Sequence, residues 1–409
     1  MNLPHDWKLV SLSEIASSEK GAIRRGPFGG SLKKSMFVES GFKVYEQQNA
    51  IRDDFQIGHY FINDEKYKEM EGFSVKPRDL IISCAGTIGR IAIVPDSAEP
   101  GVINQALMRI RPDTNVILVR YLKWLLESPT YQRDIFGKSA GSALKNLAAI
   151  GEIKKCKIPL PPIKEQRRIA AILDKADAVR RKRKEAIALT EDLLRSVFLD
   201  FMESVSNDCR KVSFKDVTLE SRNSFVNGPF GSNLLTSELQ SEGVPVIYIR
   251  DIREGVYNRV SQAFVTKEKA KELAACNVFP GDVLIAKVGD PPGTAAIYPL
   301  SSPNGIVTQD VVRMRLDLEN ATPEFIAAYI NSQIGKHTLK PIIVEATRSR
   351  FPLGAFKNLV VTLPPLEDQQ RFSKQYKKIR HIQNFLHCTC EQENNLFHSL
   401  LQRAFRGDL

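Results

Sequence analysis

The sequence is poor in the residues that most often carry enzymatic chemistry. It has six histidines, six cysteines and two tryptophans in 409 residues. With so few histidines, none of them in a suggestive pair, little acid–base catalysis is expected. The sequence also lacks the Asn-Pro-Pro-aromatic motif of base methyltransferases. These absences predict a chain that binds rather than catalyses.

Signals for secretion or membrane insertion are missing as well. The cysteines lie scattered without a disulfide framework, and no basic-then-apolar leader precedes Trp7. No apolar run approaches the roughly 20 residues that cross a bilayer. We therefore expect a soluble protein of a reducing cytoplasm, without a membrane partner.

Two segments imitate ligand-binding motifs without their spacing. Gly137-Lys138-Ser139 ends like a phosphate-binding loop, but Gln132 stands five residues earlier, where that loop needs glycine. Cys388 and Cys390 lie between two histidines, but on a helix they point to nearly opposite sides and cannot share a metal. We expect no metal and no cofactor in this chain.

What the sequence has instead is an ordinary globular composition with excess positive charge. Hydrophobic residues make up 43% and charged residues 26%, and the length allows two or three domains. The formal net charge of +11 favours a partner with phosphates or an acidic surface.

A long internal repeat dominates the sequence. Gly26-Pro27-Phe28-Gly29 returns as Gly228-Pro229-Phe230-Gly231. The same register aligns "VKPRDLIIS" with "VFPGDVLIA", "NQALMRIRPD" with "TQDVVRMRLD", and "IPLPPIKEQRRI" with "VTLPPLEDQQRF". Such a register, held through the chain, predicts one structural unit present twice.

Each copy begins with a module of short strands. Runs such as "DLIISCAG", "RIAIVP" and "ALMRIRP", separated by Gly and Pro, are typical of strands joined by tight turns. Short helices are predicted for 119–126 and 323–331. Each copy is therefore predicted to be a mixed α/β (α+β) module of about 160 residues.

A long amphipathic helix follows each Leu-Pro-Pro. Residues 164–205 contain no Gly or Pro, apolar residues recur at helical spacing, and Glu165 favours the helix start. The second such helix runs from 367 to about 405. An exposed apolar stripe needs a partner, so we predict that the helices form an antiparallel coiled coil with internal pseudo-two-fold symmetry. The predicted domains are 1–163 (module 1), 164–206 (central helix), 207–366 (module 2) and 367–409 (C-terminal helix).

Basic and amide clusters in the module loops supply donors suited to phosphates and base edges. The repeated glycine turn would let the backbone approach a phosphate, although a purely structural turn is equally compatible. The run Arg180–Lys184, "RRKRK", is compatible with a solvated helix face or with contact to nucleic acid or a partner subunit. The candidate DNA-binding residues are Arg24, Arg25, Gly26, Gly29, Ser31, Lys33, Lys34, Lys145, Asn146, Asn227, Gly228, Gly231, Asn233, Arg250, Arg253, Lys287, Arg348 and Arg350.

The duplicated turn, the helix starts "LPPIKEQRRIAAIL" and "LPPLEDQQRF", and "GSALKNLAAIGEIKKCKIPLPP" together resemble the specificity (S) subunit of a type I restriction-modification enzyme, over essentially the whole chain. The resemblance implies two target-recognition domains separated by two helices in a non-catalytic, bacterial or archaeal, subunit. Each domain would recognise half of a bipartite site in double-stranded DNA.

The same resemblance implies partners and cofactors. The helices would set the spacing of the half-sites and dock two methyltransferase subunits, and restriction subunits would join that core. S-adenosylmethionine, ATP and magnesium would belong to these partners. The residues expected to dock partners are Glu165, Gln166, Ile169, Leu173, Gln369 and Phe372.

The two modules also differ, and the differences predict where bases are recognised. Modules that recognise different half-sites should agree where they fold or touch phosphate and differ where they touch bases. They differ between "KVYEQQNAIRDD" and "PVIYIRDIREG", and between the region of Lys145 and that of Arg348–Arg350. The alternatives left open are a specificity subunit of another multi-subunit restriction or methylation-only system, and a coiled-coil scaffold that does not bind DNA.

Overall fold

A computed structural model of the chain describes residues 4–28, 30–136, 149–205, 208–229, 231 and 233–409. Two compact units are present: Met1–Lys184 with Cys388–Leu409, and Glu185–His387. Each unit therefore contains one module and part of both long helices. The predicted domain boundaries, which place the helices outside the modules, stay a prediction.

The first unit consists of short strands and helices packed on two long helix segments. Its strands are β1 (Lys8–Ser11), β2 (Ile23–Arg25), β3 (Phe42–Tyr45), β4 (Phe61–Ile62), β5 (Leu80–Ser83), β6 (Ile91–Ile93), β7 (Gly101–Ile103), β8 (Leu107–Ile110) and β9 (Lys157–Leu160). Its helices are α1 (Gln47–Arg52), α2 (Asp64–Glu69), α3 (Val119–Glu127), α4 (Pro129–Phe136), α5 (Ile150–Lys155) and the start of α6 (Ile163–Ser204).

The second unit follows the same plan. Its strands are β10 (Arg210–Ser213), β11 (Phe225–Asn227), β12 (Val244–Ile247), β13 (Ile252–Arg253), β14 (Val256–Tyr257), β15 (Phe264–Val265), β16 (Asn277–Val278), β17 (Val283–Ala286), β18 (Ala295–Ile297), β19 (Gly305–Val307), β20 (Val311–Met314) and β21 (Val360–Leu363). Its helices are α7 (Lys267–Glu272), α8 (Pro323–Asn331), α9 (Gln333–Leu339), α10 (Leu353–Lys357) and the first part of α11 (Leu366–Ala404).

Most strands of the two units correspond, although the two-stranded sheet β13-β14 occurs only in the second unit of the described structure. The main sheet has the order β2-β8-β5-β6 in the first unit and β11-β20-β17-β18 in the second. A smaller sheet of order β4-β3-β7 corresponds to β15-β12-β19, which carries β16 in addition. The opening strand of each module pairs with the strand before its long helix, β1 with β9 and β10 with β21. The fold is thus a mixture of helix and sheet, as predicted.

Apolar burial ties the long helices to the modules. In the first unit Ile169 and Leu173 of α6 share a core with Trp124 of α3 and Leu401 of α11. Further along the same two helices Arg183 pairs with Glu393 at 2.7 Å. As the residue number increases along α6, the number of its contact residue on α11 decreases. The two helix segments are therefore antiparallel in this unit.

The strongest sequence patterns are confirmed. The two long helices begin and end within a residue or so of their predicted bounds, and α3 and α8 are the predicted short helices. No helix in the described ranges combines the length and apolar character that a bilayer crossing requires.

Candidate nucleic-acid interface

Several loops of the first unit meet at one edge of its main sheet. Strands β2 and β5 both pair antiparallel with β8, so they end at the edge where β8 begins. Strand β3 runs parallel to β7 and ends beside the turn into β8. We call this edge loop edge 1. It comprises residues 26–28, 30–31, 46–48, 84–90 and 104–106.

The second unit builds the corresponding edge. Strands β11 and β17 end where β20 begins, and β12 runs parallel to β19. The segment 349–350 joins them, because Gly289 donates its N–H to Ser349 O at 3.0 Å and Arg350 bridges to Val288. Loop edge 2 comprises residues 228–229, 231, 248–250, 287–293, 308–310 and 349–350.

The first glycine of each repeated turn is required by packing. Gly26 donates its N–H to Leu107 O at 2.8 Å, and a Cβ added there would overlap the carbonyl oxygen of Asn104. Gly228 donates to Thr308 O, and a Cβ there would overlap Val307 O. Since these backbone atoms cannot move aside cheaply, the turn is anchored on the strand connection in both units.

The basic residues predicted near loop edge 1 have different environments. Arg25 and both lysines, Lys33 and Lys34, are exposed, and Ser31 is half-buried. Arg24 is half-buried because its guanidinium lies over the Phe73 ring, 3.9 Å from the centroid. Stacked there, Arg24 contributes to the stability of the module, and its contact with DNA stays a prediction.

Loop edge 2 collects a larger set of the predicted residues. Lys287 donates its N–H to Asp310 O at 2.8 Å, and the Asn227 amide donates to Gln309 O at 3.4 Å. The exposed Arg250 lies over the Tyr248 ring. Gly228, Gly231 and Arg350 lie at the same edge, with Asn233 and Arg348 adjacent along the chain, the last three exposed.

Not every predicted residue is brought to these edges. Arg253 belongs to the β13–β14 hairpin, whose Gly255 lies against the guanidinium of Arg380 on α11. That contact places the exposed Arg253 beside the region where the module meets α11, away from loop edge 2, and its contact with DNA stays a prediction. Gly29, Lys145 and Asn146 lie outside the described residues.

Comparison with known proteins agrees with this architecture. The profile of the "Type I restriction modification DNA specificity domain" matches residues 4–189. The EcoKI specificity subunit of Escherichia coli K12 is 21% identical over 100% of this chain and 90% of its own length. The EcoBI specificity subunit of E. coli is 22% identical over 83% of this chain and 75% of its own length. Residues 4–189 thus match the type I specificity domain, and the chain as a whole is similar to type I specificity subunits.

Solved structures support the same fold for this chain. A chain from work on complex assembly and conformational transition of the type I system aligns over the full length of both chains, with a TM-score of 0.55 and 18% identity. The S subunit of a type I restriction-modification system from M. genitalium aligns over 99% of this chain and 96% of its own length, with a TM-score of 0.54 and 14% identity. At such identities the likeness concerns the fold.

Two features of the interface were not among the predicted site residues. Gln105 and Gln309 are both exposed; Gln105 lies beside Gly26, and the backbone oxygen of Gln309 accepts a hydrogen bond from the Asn227 amide. Phe28, at the tip of the first turn, is 93% exposed. The repeat itself contained the signal, because both glutamines and the phenylalanine recur in register.

The residues predicted to dock methyltransferase subunits need correction. Gln166, Ile169, Leu173, Gln369 and Phe372 are all buried inside their own units. Side chains without accessible surface cannot contact a second chain in this conformation, so these five are reassigned to the joint between module and helix. Glu165 pairs with Arg168 at 2.7 Å and keeps part of its surface. That pairing holds the pKa of the Glu165 carboxyl below its usual range.

The arginines of the basic run on α6 are engaged in ion pairs within this chain. Arg181 pairs with Asp177 at 2.7 Å and with Asp53 of the module at 3.2 Å. Arg180 also pairs with Asp177, and Arg183 pairs with Glu393 of α11. These three arginines fasten α6 to its surroundings, and the lysines of the run are exposed. Of the interpretations left open, a solvated or internally paired helix face fits the arginines best.

The groups with altered acidity do not form a reaction centre. Burial raises the pKa of the Cys84 thiol to about 12, against a smaller opposing effect of Arg25, so this thiol at loop edge 1 is a poor nucleophile. Among the described residues no three His, Cys, Asp or Glu side chains cluster as metal ligands do.

Proposed function

We propose that this specificity subunit recognises a bipartite DNA site, one half with each loop edge, as a non-catalytic member of a larger complex. The observation that carries the proposal is the correspondence of the two edges: the same strands build them and the same glycine anchors them, while their side chains differ. Two half-sites of different sequence require the same backbone scaffold with different hydrogen-bonding side chains.

The long helices complete the proposal. We infer that α6 and α11 form an antiparallel coiled coil with an internal pseudo-two-fold axis, and that this coil sets the distance between half-sites. Two methyltransferase subunits would dock on its exposed apolar side chains, among them Val179, Leu189 and Leu193 of α6 and Leu396 of α11. Residues Leu189 and Leu193 are four apart and so share one helix face.

The chemistry would belong to the partners. S-adenosylmethionine would be bound by the methyltransferase subunits, and ATP and magnesium by restriction subunits where these are present. The positive net charge of this chain suits the phosphate contacts that supply most of the affinity of such complexes.

The test is expression of the chain with its methyltransferase partner in a host free of that methylation, followed by sequencing of methylated adenines. We expect one bipartite motif. Exchanging residues 287–293 and 308–310 for those of another specificity subunit should change one half of it, while Leu300→Ala, an exposed residue after β18 at the opposite edge, should leave the motif unchanged. Absence of any motif, or a change in both halves, would contradict the proposal.

A further inference from the structure

Phe28 is the most exposed of the large apolar side chains in the described part of the chain, with 93% of its surface in water. Phenylalanine is ordinarily among the most buried residue types. A single exposed apolar residue needs no explanation by itself, but this one occupies the tip of a turn that the chain contains twice.

Described residues on both sides of the ring hold it in place. Pro27 is buried, Gly26 is held against the backbone of Asn104, and Ser31 donates its N–H to Phe28 O at 2.9 Å. A side chain held out by an ordered backbone loses little conformational freedom when it binds. The exposure of Phe28 is therefore built into the fold of the module.

The surroundings of the ring indicate nucleic acid as its partner. Between Lys20 and Val38 the chain has five basic residues and no acidic one. Arg25, Lys33 and Lys34 are exposed in this stretch, and Gln105 lies beside the anchored glycine. Cations around an apolar ring match a phosphate backbone around stacked bases.

The chemistry of the ring limits what it can do on DNA. A phenyl group has no donor or acceptor, so it recognises no hydrogen-bonding pattern of base edges. It can contact a thymine methyl or enter between neighbouring base pairs and partly unstack them. Because the turn is shared by modules whose other loops differ, its task is independent of sequence. Insertion at a base step meets that condition, and a methyl contact does not.

We propose that Phe28 is a wedge that inserts between neighbouring base pairs of the half-site bound by loop edge 1. This inference rests on the proposed function. It also supplies a mechanical role: enzymes that modify a base take it out of the stack, and a wedge in the specificity subunit lowers the energy that its partner needs for that step. Phe230, the corresponding residue of the second turn, lies outside the described residues.

The experiment uses the complex of the full chain with its methyltransferase subunits and duplexes carrying 2-aminopurine at each position of the half-site in turn. The wild-type complex should raise the fluorescence several-fold at one step. Phe28→Ala should abolish that rise and weaken specific binding about 10-fold, and Phe28→Trp should keep the rise. Leu300→Ala, 82% exposed before substitution, is the matched control and should behave like wild type.

The outcomes separate the two proposals. An unchanged fluorescence rise in Phe28→Ala, or weaker binding without any rise in the wild type, overturns the wedge while recognition of DNA stands. Failure of the wild-type complex to prefer any duplex overturns the proposed function itself. Because Phe28 is exposed, the melting temperature of Phe28→Ala should equal that of the wild type, which excludes unfolding as the cause of a loss.

Discussion

The side-chain oxygen of Gln166 accepts a hydrogen bond from the backbone N–H of Leu118 at 2.7 Å. Its amide nitrogen donates to Pro161 O at 2.9 Å. In the second unit Gln369 accepts from Thr322 N at 3.0 Å and donates to Pro364 O at 2.8 Å. The glutamine that ends the repeated Leu-Pro-Pro motif thus fastens each long helix to the loop before α3 or α8.

Replacing either glutamine should loosen its own unit. Gln166→Leu keeps the volume but leaves the half-buried N–H of Leu118 without its partner and removes the bond to Pro161 O, which together cost about 2–3 kcal/mol of unfolding free energy. Gln369→Leu should cost the same because its bonds are the same. Urea unfolding measures both, and Arg167→Ala, an exposed neighbour, is the control. If Gln166→Leu lowers the unfolding free energy by less than about 0.5 kcal/mol, Gln166 does not stabilise the attachment of the helix to the loop.

Both units also have an arginine–aspartate ion pair at the edge of the main sheet opposite the loop edges. Arg111 donates to both carboxylate oxygens of Asp79 at 2.8 Å, and Arg315 does the same to Asp282 at 2.9 and 2.8 Å. Asp79→Asn and Asp282→Asn remove a charge from a buried pair and should each cost about 2–4 kcal/mol. Thermal unfolding checks this. The control, Asp96→Asn, alters an exposed pair at 4.0 Å and should change the melting temperature little.

The joint between module 1 and α6 should depend on pH through Glu127. Burial raises the pKa of Glu127 to about 7, with Asp177 and Asp53 adding to the rise and Lys123 and Arg180 opposing it. The native state therefore binds this proton more tightly than the unfolded chain, whose carboxyl titrates near 4.5. The resulting stabilisation is complete below pH 4.5 and is lost as the pH rises through 7.

Glu127→Gln removes that titration. Relative to wild type, the variant should gain about 1–2 kcal/mol of unfolding free energy between pH 5 and pH 8. Denaturant unfolding at several pH values measures the difference. The chain offers its own precedent, since Asn331 at the end of α8, in the place of Glu127 at the end of α3, already holds a neutral amide that bonds Ala295 at 2.7 and 2.9 Å. Parallel pH profiles for wild type and variant would contradict the assignment.

Local patterns predicted much of the fold, whereas the DNA contacts of the candidate site residues stay predictions. The long helices were predictable because Leu-Pro-Pro marks their starts and no Gly or Pro interrupts 164–205. Their contacts were not, since an apolar stripe at Ile169 and Leu173 looks the same whether it covers a module or a partner subunit. The stacking of Arg24 on Phe73 was not predictable, because the two residues are 49 positions apart and such long-range contacts leave no local signal.

Recognition by loop edge 2 should depend on Arg348. This arginine is exposed beside Arg350, whose backbone is held by bridges to Val288 and Val344. Arg348→Ala should cost about 1–3 kcal/mol on the cognate site and relax one position of one half-site. Methylation sequencing and binding to single-base variants measure this. Arg222→Ala, an exposed arginine before β11 at the opposite edge, should change neither; equal effects of the two variants would indicate general charge attraction in place of recognition.

The spacer between half-sites should follow the length of the long helices. Glu191 of α6 pairs with Arg380 of α11 at 3.0 Å, so a segment added near this level must be added to both helices to keep them paired. Seven residues inserted after Leu189 and seven after Leu386 preserve the apolar pattern of a coiled coil and add about 10 Å. At about 3.4 Å per base pair the unread spacer should grow by about three base pairs, with both half-sites unchanged. Methylation sequencing detects that change directly. The insertion after Leu189 alone is the control, which disturbs the pairing and should lower methylation at every spacing. Full methylation at the original spacing by the double insertion would show that the helices do not set the distance.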